Sequence, residues 1–149
     1  MEEKFNVIIP AAYKDFAFLQ KTISYVAKNI QPQKIYVIID TRLISYMPKV
    51  IVNNTLVEIL DENKLVDSIS FEGVKKLLVK HGLPAKRTGW FLQQFIKLGF
   101  ALSEYCDTDY YLSWDADTLP LRNIEFFTSD GKPIFTKKKE HNQAYFDTL

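Results

Sequence analysis

The segment Lys34-Ile35-Tyr36-Val37-Ile38-Ile39-Asp40 decides the fold. Its apolar run is rich in β-branched residues, is too short for a helix, and closes on a carboxylate. A strand with one face in water would alternate apolar and polar residues. An unbroken apolar run instead reads as a strand buried on both faces, as in a parallel sheet covered by helices. Phe5-Asn6-Val7-Ile8-Ile9, closed by Pro10, has the same character, and Leu56-Val57-Glu58-Ile59-Leu60-Asp61 and Tyr110-Tyr111-Leu112-Ser113-Trp114 supply two more strands.

Helical patterns separate these runs. Asp15 precedes Phe16, Leu19, Ile23 and Val26, whose spacing predicts an amphipathic helix to about Asn29, punctuated by Pro32. A second helix is expected from Ser70 to about Lys80, stopped at His81-Gly82, and a longer one from Trp90 to about Tyr105. Ser129-Asp130-Gly131 is a turn signal, and Pro133 to Thr136 reads as a short strand. Alternating strands and helices predict one α/β domain over residues 1–149, Rossmann-like, with a mostly parallel sheet and helices on both faces. Ligands of such sheets bind beyond the carboxyl ends of the strands. That points to Ala11 through Asp15, to Asp40, and to Asp115 with Asp117.

Composition narrows the function classes. The 149 residues fit a single domain at roughly 100–200 residues per domain. A 14% aromatic content argues against disorder. A net charge of +1 lacks the basic excess of a dedicated nucleic-acid binder, so no nucleic-acid partner is expected. The single Cys106 cannot form an internal disulfide and reads as a packing residue, and the start Met1-Glu2-Glu3-Lys4 is unlike a signal peptide. A cytoplasmic location is therefore expected, without an integral membrane segment, since no stretch approaches ~18 apolar residues. The 5 glycines form neither a dinucleotide-binding turn nor a phosphate-cradling loop. There is no Gly-x-Ser-x-Gly elbow, and His81 and His141 lack the paired cysteines of a structural zinc site.

Asp115-Ala116-Asp117 is the strongest chemical signal. In an extended segment its two carboxylates project to the same side, about 6–7 Å apart. Two hard oxygen donors there suit Mg²⁺ or Mn²⁺, completed by water and substrate phosphates; the bland alternative is a solvated turn. Upstream, Trp90, Gln93, Gln94, Lys97 and Glu104 fall in one sector of the helix at ~100° per residue, opposite a stripe of Phe91, Phe95, Leu98 and Leu102 that Leu92, Ile96 and Phe100 widen. A tryptophan, two amides and a lysine can stack on and hydrogen-bond a polyhydroxylated ligand, or simply form an amphipathic surface. Arg87 suits phosphate oxygens or solvent equally. Asp15 reads as a helix cap or a ligand residue, and Tyr13 as a base platform or a cover for the sheet end. Lys137-Lys138-Lys139 reads as a solvated run.

Ile8-Ile9-Pro10-Ala11-Ala12-Tyr13-Lys14-Asp15 resembles the nucleotide-binding first loop of bacterial GT-A-type glycosyltransferases. Arg87-Thr88-Gly89-Trp90-Phe91-Leu92-Gln93-Gln94-Phe95-Ile96-Lys97-Leu98, followed by Tyr111-Leu112 and Asp115-Ala116-Asp117-Thr118, is similar to the Gly-Trp…Gln-Gln…Lys-Leu helix and Asp-Ala-Asp of a bacterial glycosyltransferase-like family. The resemblance implies a GT-A fold and sugar transfer from a nucleotide-sugar donor to a glycan or lipid-linked acceptor, in surface-polysaccharide biosynthesis. It implies that Asp115 and Asp117 hold Mn²⁺ or Mg²⁺ against the donor diphosphate. Pro10, Ala11, Tyr13, Asp15, Asp40 and Arg87 would bind the nucleotide, and Trp90, Gln93, Gln94, Lys97 and Ala116 the donor sugar.

GT-A enzymes continue past such a motif with acceptor-binding strands and helices, whereas this chain ends at Asp147-Thr148-Leu149. The expectation is a donor-binding portion whose acceptor side is missing, with no catalytic base assignable. Two alternatives stand beside it. One is a binding remnant that performs no transfer. The other is a haloacid-dehalogenase-type phosphohydrolase, which also places Asp-x-Asp after a strand but expects Thr or Val where this chain has Leu119. Nucleotidyltransferases share the fold but carry a glycine- and base-rich first loop that is absent here.

Overall fold

The computed structural model describes residues 4–67 and 69–135. Strands β1 (Phe5–Pro10), β2 (Ile35–Ile39), β3 (Val57–Asp61) and β4 (Tyr110–Ser113) form one sheet in the order β3-β2-β1-β4. Every pairing is parallel, with Ile8 opposite both Tyr36 and Ser113. This is the α/β, Rossmann-like architecture expected. The helices are α1 (Phe16–Asn29), α2 (Lys49–Val52), α3 (Phe71–Lys80) and α4 (Thr88–Gly99).

Two cores, one on each face, follow from the pleat of the central strands. Val7 and Ile9 of β1 and Ile35, Val37 and Ile39 of β2 point to one side, where they meet Leu19, Ile23 and Val26 of α1 and Ile51 of α2. Ile8, Tyr36 and Ile38 point to the other, against Val74 and Leu78 of α3 and Leu92, Ile96 and Phe100 at α4. Both faces of β1 and β2 are thus dry, which is why β2 is an unbroken apolar run and β1 is broken only by Asn6, whose buried amide donates to Asp107 at 2.9 Å.

Local chemistry sets the helix ends. Ser70 accepts from the Gly73 N–H at 3.1 Å and caps α3, while Gly82, at φ +71°, ends it in the left-handed region that a glycine adopts without steric cost. α4 begins two residues earlier than its periodicity suggested. A 3-10 turn, Ala85–Arg87, runs directly into it, and the Thr88 hydroxyl donates to the Ala85 carbonyl at 2.6 Å at the junction. α4 stops at Gly99, where a Cβ would come within 2.9 Å of Val66 Cγ2, and a 3-10 turn, Phe100–Leu102, follows.

Three expectations change. The buried stripe of α4 runs through Thr88, Leu92, Ile96 and Gly99, while Leu98 and Leu102 are exposed and Phe91 and Phe95 half-buried. The apolar residues cover a wide arc, and the core takes the side of it marked by Leu92, Ile96 and Phe100, not the side centred on Phe91, Phe95, Leu98 and Leu102. Residues 41–52, without an assigned element, form a 3-10 turn, Thr41–Tyr46, and α2. Within the Pro133–Thr136 strand, Pro133 makes an isolated antiparallel bridge to Phe127 across the Ser129-Asp130-Gly131 turn; Thr136, Lys137 to Lys139 and His141 lie outside the described residues. No helix among the described residues is long and apolar enough to cross a membrane.

Candidate functional site

The chain builds the sheet outward from β1 to β2 to β3, then crosses through α3 and α4 to place β4 on the far side of β1. The loops leaving β1 and β4 therefore diverge at their carboxyl ends and open a crevice, the usual ligand position in such sheets. A cavity of about 270 Å³ lies there. Pro10, Lys14 and Asp15 line it from the β1 loop, Trp90, Gln93, Gln94 and Lys97 from α4, and Asp115, Ala116 and Asp117 from the β4 loop. Pockets that enclose a drug-sized ligand hold roughly 300–1,000 Å³. This one is open to solvent, so a ligand larger than its volume can extend beyond it. A larger hollow of about 790 Å³, at the amino end of the sheet beside Phe5, Pro32 and Phe126, has no comparable convergence of charged side chains.

The Asp115-Ala116-Asp117 motif is not extended, as expected, but turned. β4 ends at Ser113, and the Thr118 N–H donates to the Asp115 carbonyl at 3.2 Å. The turn is pinned from both sides. The Thr22 hydroxyl of α1 donates to the Ala116 carbonyl at 2.6 Å, and the Trp114 indole N–H donates to the Thr118 carbonyl at 2.8 Å. Ala116 packs into the α1-side core, which leaves Asp115 and Asp117 exposed on either side of it. Both carboxylates still face the cavity. The ammonium of Lys97 lies 2.6 Å from Asp115 Oδ1, and the Tyr111 hydroxyl donates to the Lys97 carbonyl at 2.7 Å, fixing that helix turn against β4.

Several other expected site residues lie outside the cavity. Ala11 is buried in the α1-side core. Tyr13 is exposed, edge-on to Phe16 and Tyr46 at 5.7 and 5.6 Å. Arg87 stacks over the Trp90 ring at 4.9 Å and is outside the cavity lining. Asp40 is taken by Arg42, which contacts it through both backbone and guanidinium. Asp15 lines the cavity while accepting from the Ala12 N–H at 2.8 Å. Lys14 also lines the cavity; it lies within the stretch Ala11 through Asp15 that the sequence pointed to, but a lysine next to the cap carried no signal of a role of its own.

Residues 4–148 match a family of unknown function, DUF6492. The chain belongs to that family. No curated protein and no solved structure matches it.

The donor set of the DUF6492 cavity bears on a divalent cation. Asp115 and Asp117 present hard oxygens to a polar opening, and among the described residues no cluster of three or more His, Cys, Asp or Glu side chains stands ready to hold a metal. Such a pair fits Mg²⁺ or Mn²⁺ whose remaining ligands are water and phosphate oxygens, not a cage closed by protein.

At the ends of β2 and β3, where the sequence marked Asp40 and Asp61, it gave no sign of Glu62. Burial, followed by the charges of Asp40 and Asp61, pushes Glu62 up to about 7, whereas the hydrogen bonds from Arg42 hold Asp40 below its ordinary range. In the folded DUF6492 domain Glu62 keeps its proton to about pH 7, while the unfolded chain releases it near 4.5. Its contribution is therefore full below the lower value and is lost as pH rises through the upper one. Glu62→Gln is expected to stabilise by about 1–2 kcal/mol at pH 8, allowing for partial exposure, and to change little at pH 4–5. Urea denaturation at both pH values checks this, and an equal effect at both would refute it.

Proposed function

We propose that this DUF6492 chain is the donor-binding domain of a metal-dependent glycosyltransferase, which moves a sugar from a nucleotide-sugar to a glycan or lipid-linked acceptor. One observation carries the reading. The paired carboxylates Asp115 and Asp117 stand at the carboxyl end of β4, across the strand-order reversal from the β1 loop, with Trp90, Gln93, Gln94 and Lys97 forming the wall between. A haloacid-dehalogenase-type arrangement is less well supported, because Leu119 stands where that motif has Thr or Val and β4 lies at the edge of the sheet among the described residues.

In this reading Asp115 and Asp117 hold Mn²⁺ or Mg²⁺, which neutralises the diphosphate and eases its departure as a leaving group. Lys14 and Lys97 offer ammonium donors to phosphate oxygens. Gln93 and Gln94 present amide donors and acceptors to sugar hydroxyls, and the exposed Trp90 face offers an apolar surface to the ring. A nucleotide-sugar donor and a lone Cys106 both accord with a cytoplasmic setting.

The test is binding of UDP-, GDP-, dTDP- and CMP-sugars with and without Mn²⁺. At least one donor is expected to bind in a Mn²⁺-dependent manner, and Asp117→Asn to weaken it about tenfold or more, the loss of one charge-assisted contact. Binding of no donor, or phosphate release that depends on Asp115, would overturn the proposal.

A further inference from the structure

Lys97 reaches the cavity from α4 with a largely buried stem; its side chain is only 22% exposed, against 62% for Asp115. The Tyr111 hydroxyl holds the backbone at this turn, so the ammonium has a short range of positions. One is the contact it makes, 2.6 Å from Asp115 Oδ1. The other is the cavity itself, which Lys97 also lines. A cation held by Asp115 would lie within a few ångströms of that ammonium, and at such separations like charges repel strongly even with partial solvent screening.

The charges on the wall give the direction of the effect. Asp15, Asp115 and Asp117 against Lys14 and Lys97 leave one net negative charge. A divalent cation alone reverses that sign beside two ammonium groups. A cation arriving with a doubly charged diphosphate restores it and offers Lys97 phosphate oxygens in exchange for the carboxylate. A lysine is suited to this exchange, having a compact charge, rotatable donors and a flexible stem.

We infer that Lys97 is an exchangeable counter-ion for Asp115: it pairs with the carboxylate until cation and diphosphate bind together, and then passes to phosphate oxygens. The inference rests on Asp115 and Asp117 being the cation and diphosphate site, and it adds that the two ligands bind cooperatively through Lys97. Cation alone binds weakly, diphosphate alone binds weakly, and each raises the affinity of the other by the same factor.

The experiment measures Mn²⁺ binding to the full chain, alone and with inorganic pyrophosphate, by the loss of the free Mn²⁺ electron paramagnetic resonance signal. The affinity of pyrophosphate for Mn²⁺ is measured without protein and subtracted. In the unsubstituted protein, pyrophosphate is expected to raise Mn²⁺ affinity about tenfold or more. Lys97→Met is expected to bind Mn²⁺ alone about tenfold tighter and to lose most of the coupling. Lys97→Gln is measured in parallel, with circular dichroism establishing that each variant is folded. If the unsubstituted protein binds pyrophosphate and Mn²⁺ jointly, but both folded variants bind Mn²⁺ no tighter and keep the coupling, the counter-ion role is wrong and the site survives. If it binds neither ligand, alone or together, the site assignment and the counter-ion role fall together.

Discussion

Phe100→Ala is expected to lower the unfolding free energy by about 3–5 kcal/mol, the range for removing a buried phenylalanine. Phe100 is fully buried just beyond α4 and touches Tyr36 and Tyr111, with ring centroids 5.3 and 5.0 Å away. Tyr36 belongs to the central strand β2 and Tyr111 to β4, so the walls of the resulting void are held by sheet hydrogen bonds. They cannot close over it, and both the lost burial and the residual cavity count against the variant. With a total stability of about 5–15 kcal/mol for a domain of this kind, the loss would be a large share. Urea denaturation measures it, with Leu102→Ala as the control. Leu102 is exposed two residues away, and its truncation is expected to fall within about 0.5 kcal/mol. Equal losses for both would mean that the second core is not organised around Phe100.

Thr22→Val is expected to cost about 1–3 kcal/mol and to loosen the carboxylate turn. Thr22 is fully buried on α1, and its hydroxyl donates to the Ala116 carbonyl at 2.6 Å. Valine preserves the shape but removes the donor, leaving a buried carbonyl unpaired. Because Ala116 lies between Asp115 and Asp117, the substitution acts on the site from beneath without touching the cavity. It should weaken Mn²⁺-dependent donor binding beyond what the stability loss explains, while Thr22→Ser, which restores the hydroxyl, should recover most of both. A fully stable Thr22→Val protein with unchanged donor binding would show that the Trp114 indole alone fixes the turn.

The elements that were legible in the sequence are those whose cause is local. β2 is an unbroken apolar run, and β1 one broken only by Asn6, because both their faces are covered, and α1 shows its core stripe at Leu19, Ile23 and Val26. The segment between β2 and β3 was illegible, because a 3-10 turn and a four-residue helix are too short to display a period. α4 was legible as a helix but not in its orientation, since apolar residues occur around most of its circumference. Among site residues, Asp115 and Asp117 were visible as a motif. Lys14 and Glu62 were not, because their surroundings come from distant parts of the chain.

The sequence by itself determined the α/β class, the four strands and the carboxylates that follow the last of them, since these depend on burial period and residue chemistry along short stretches. The tertiary structure alone decided that β4 returns beside β1, which brings Asp115 and Asp117 opposite Pro10, Lys14 and Asp15. It also decided that Lys97 meets Asp115, that Thr22 holds the turn between the two aspartates, and that Glu62 retains its proton near neutral pH. Each of these depends on strand order and on distances between residues far apart in the chain. Charge pairing and desolvation act through space, and no local pattern encodes them.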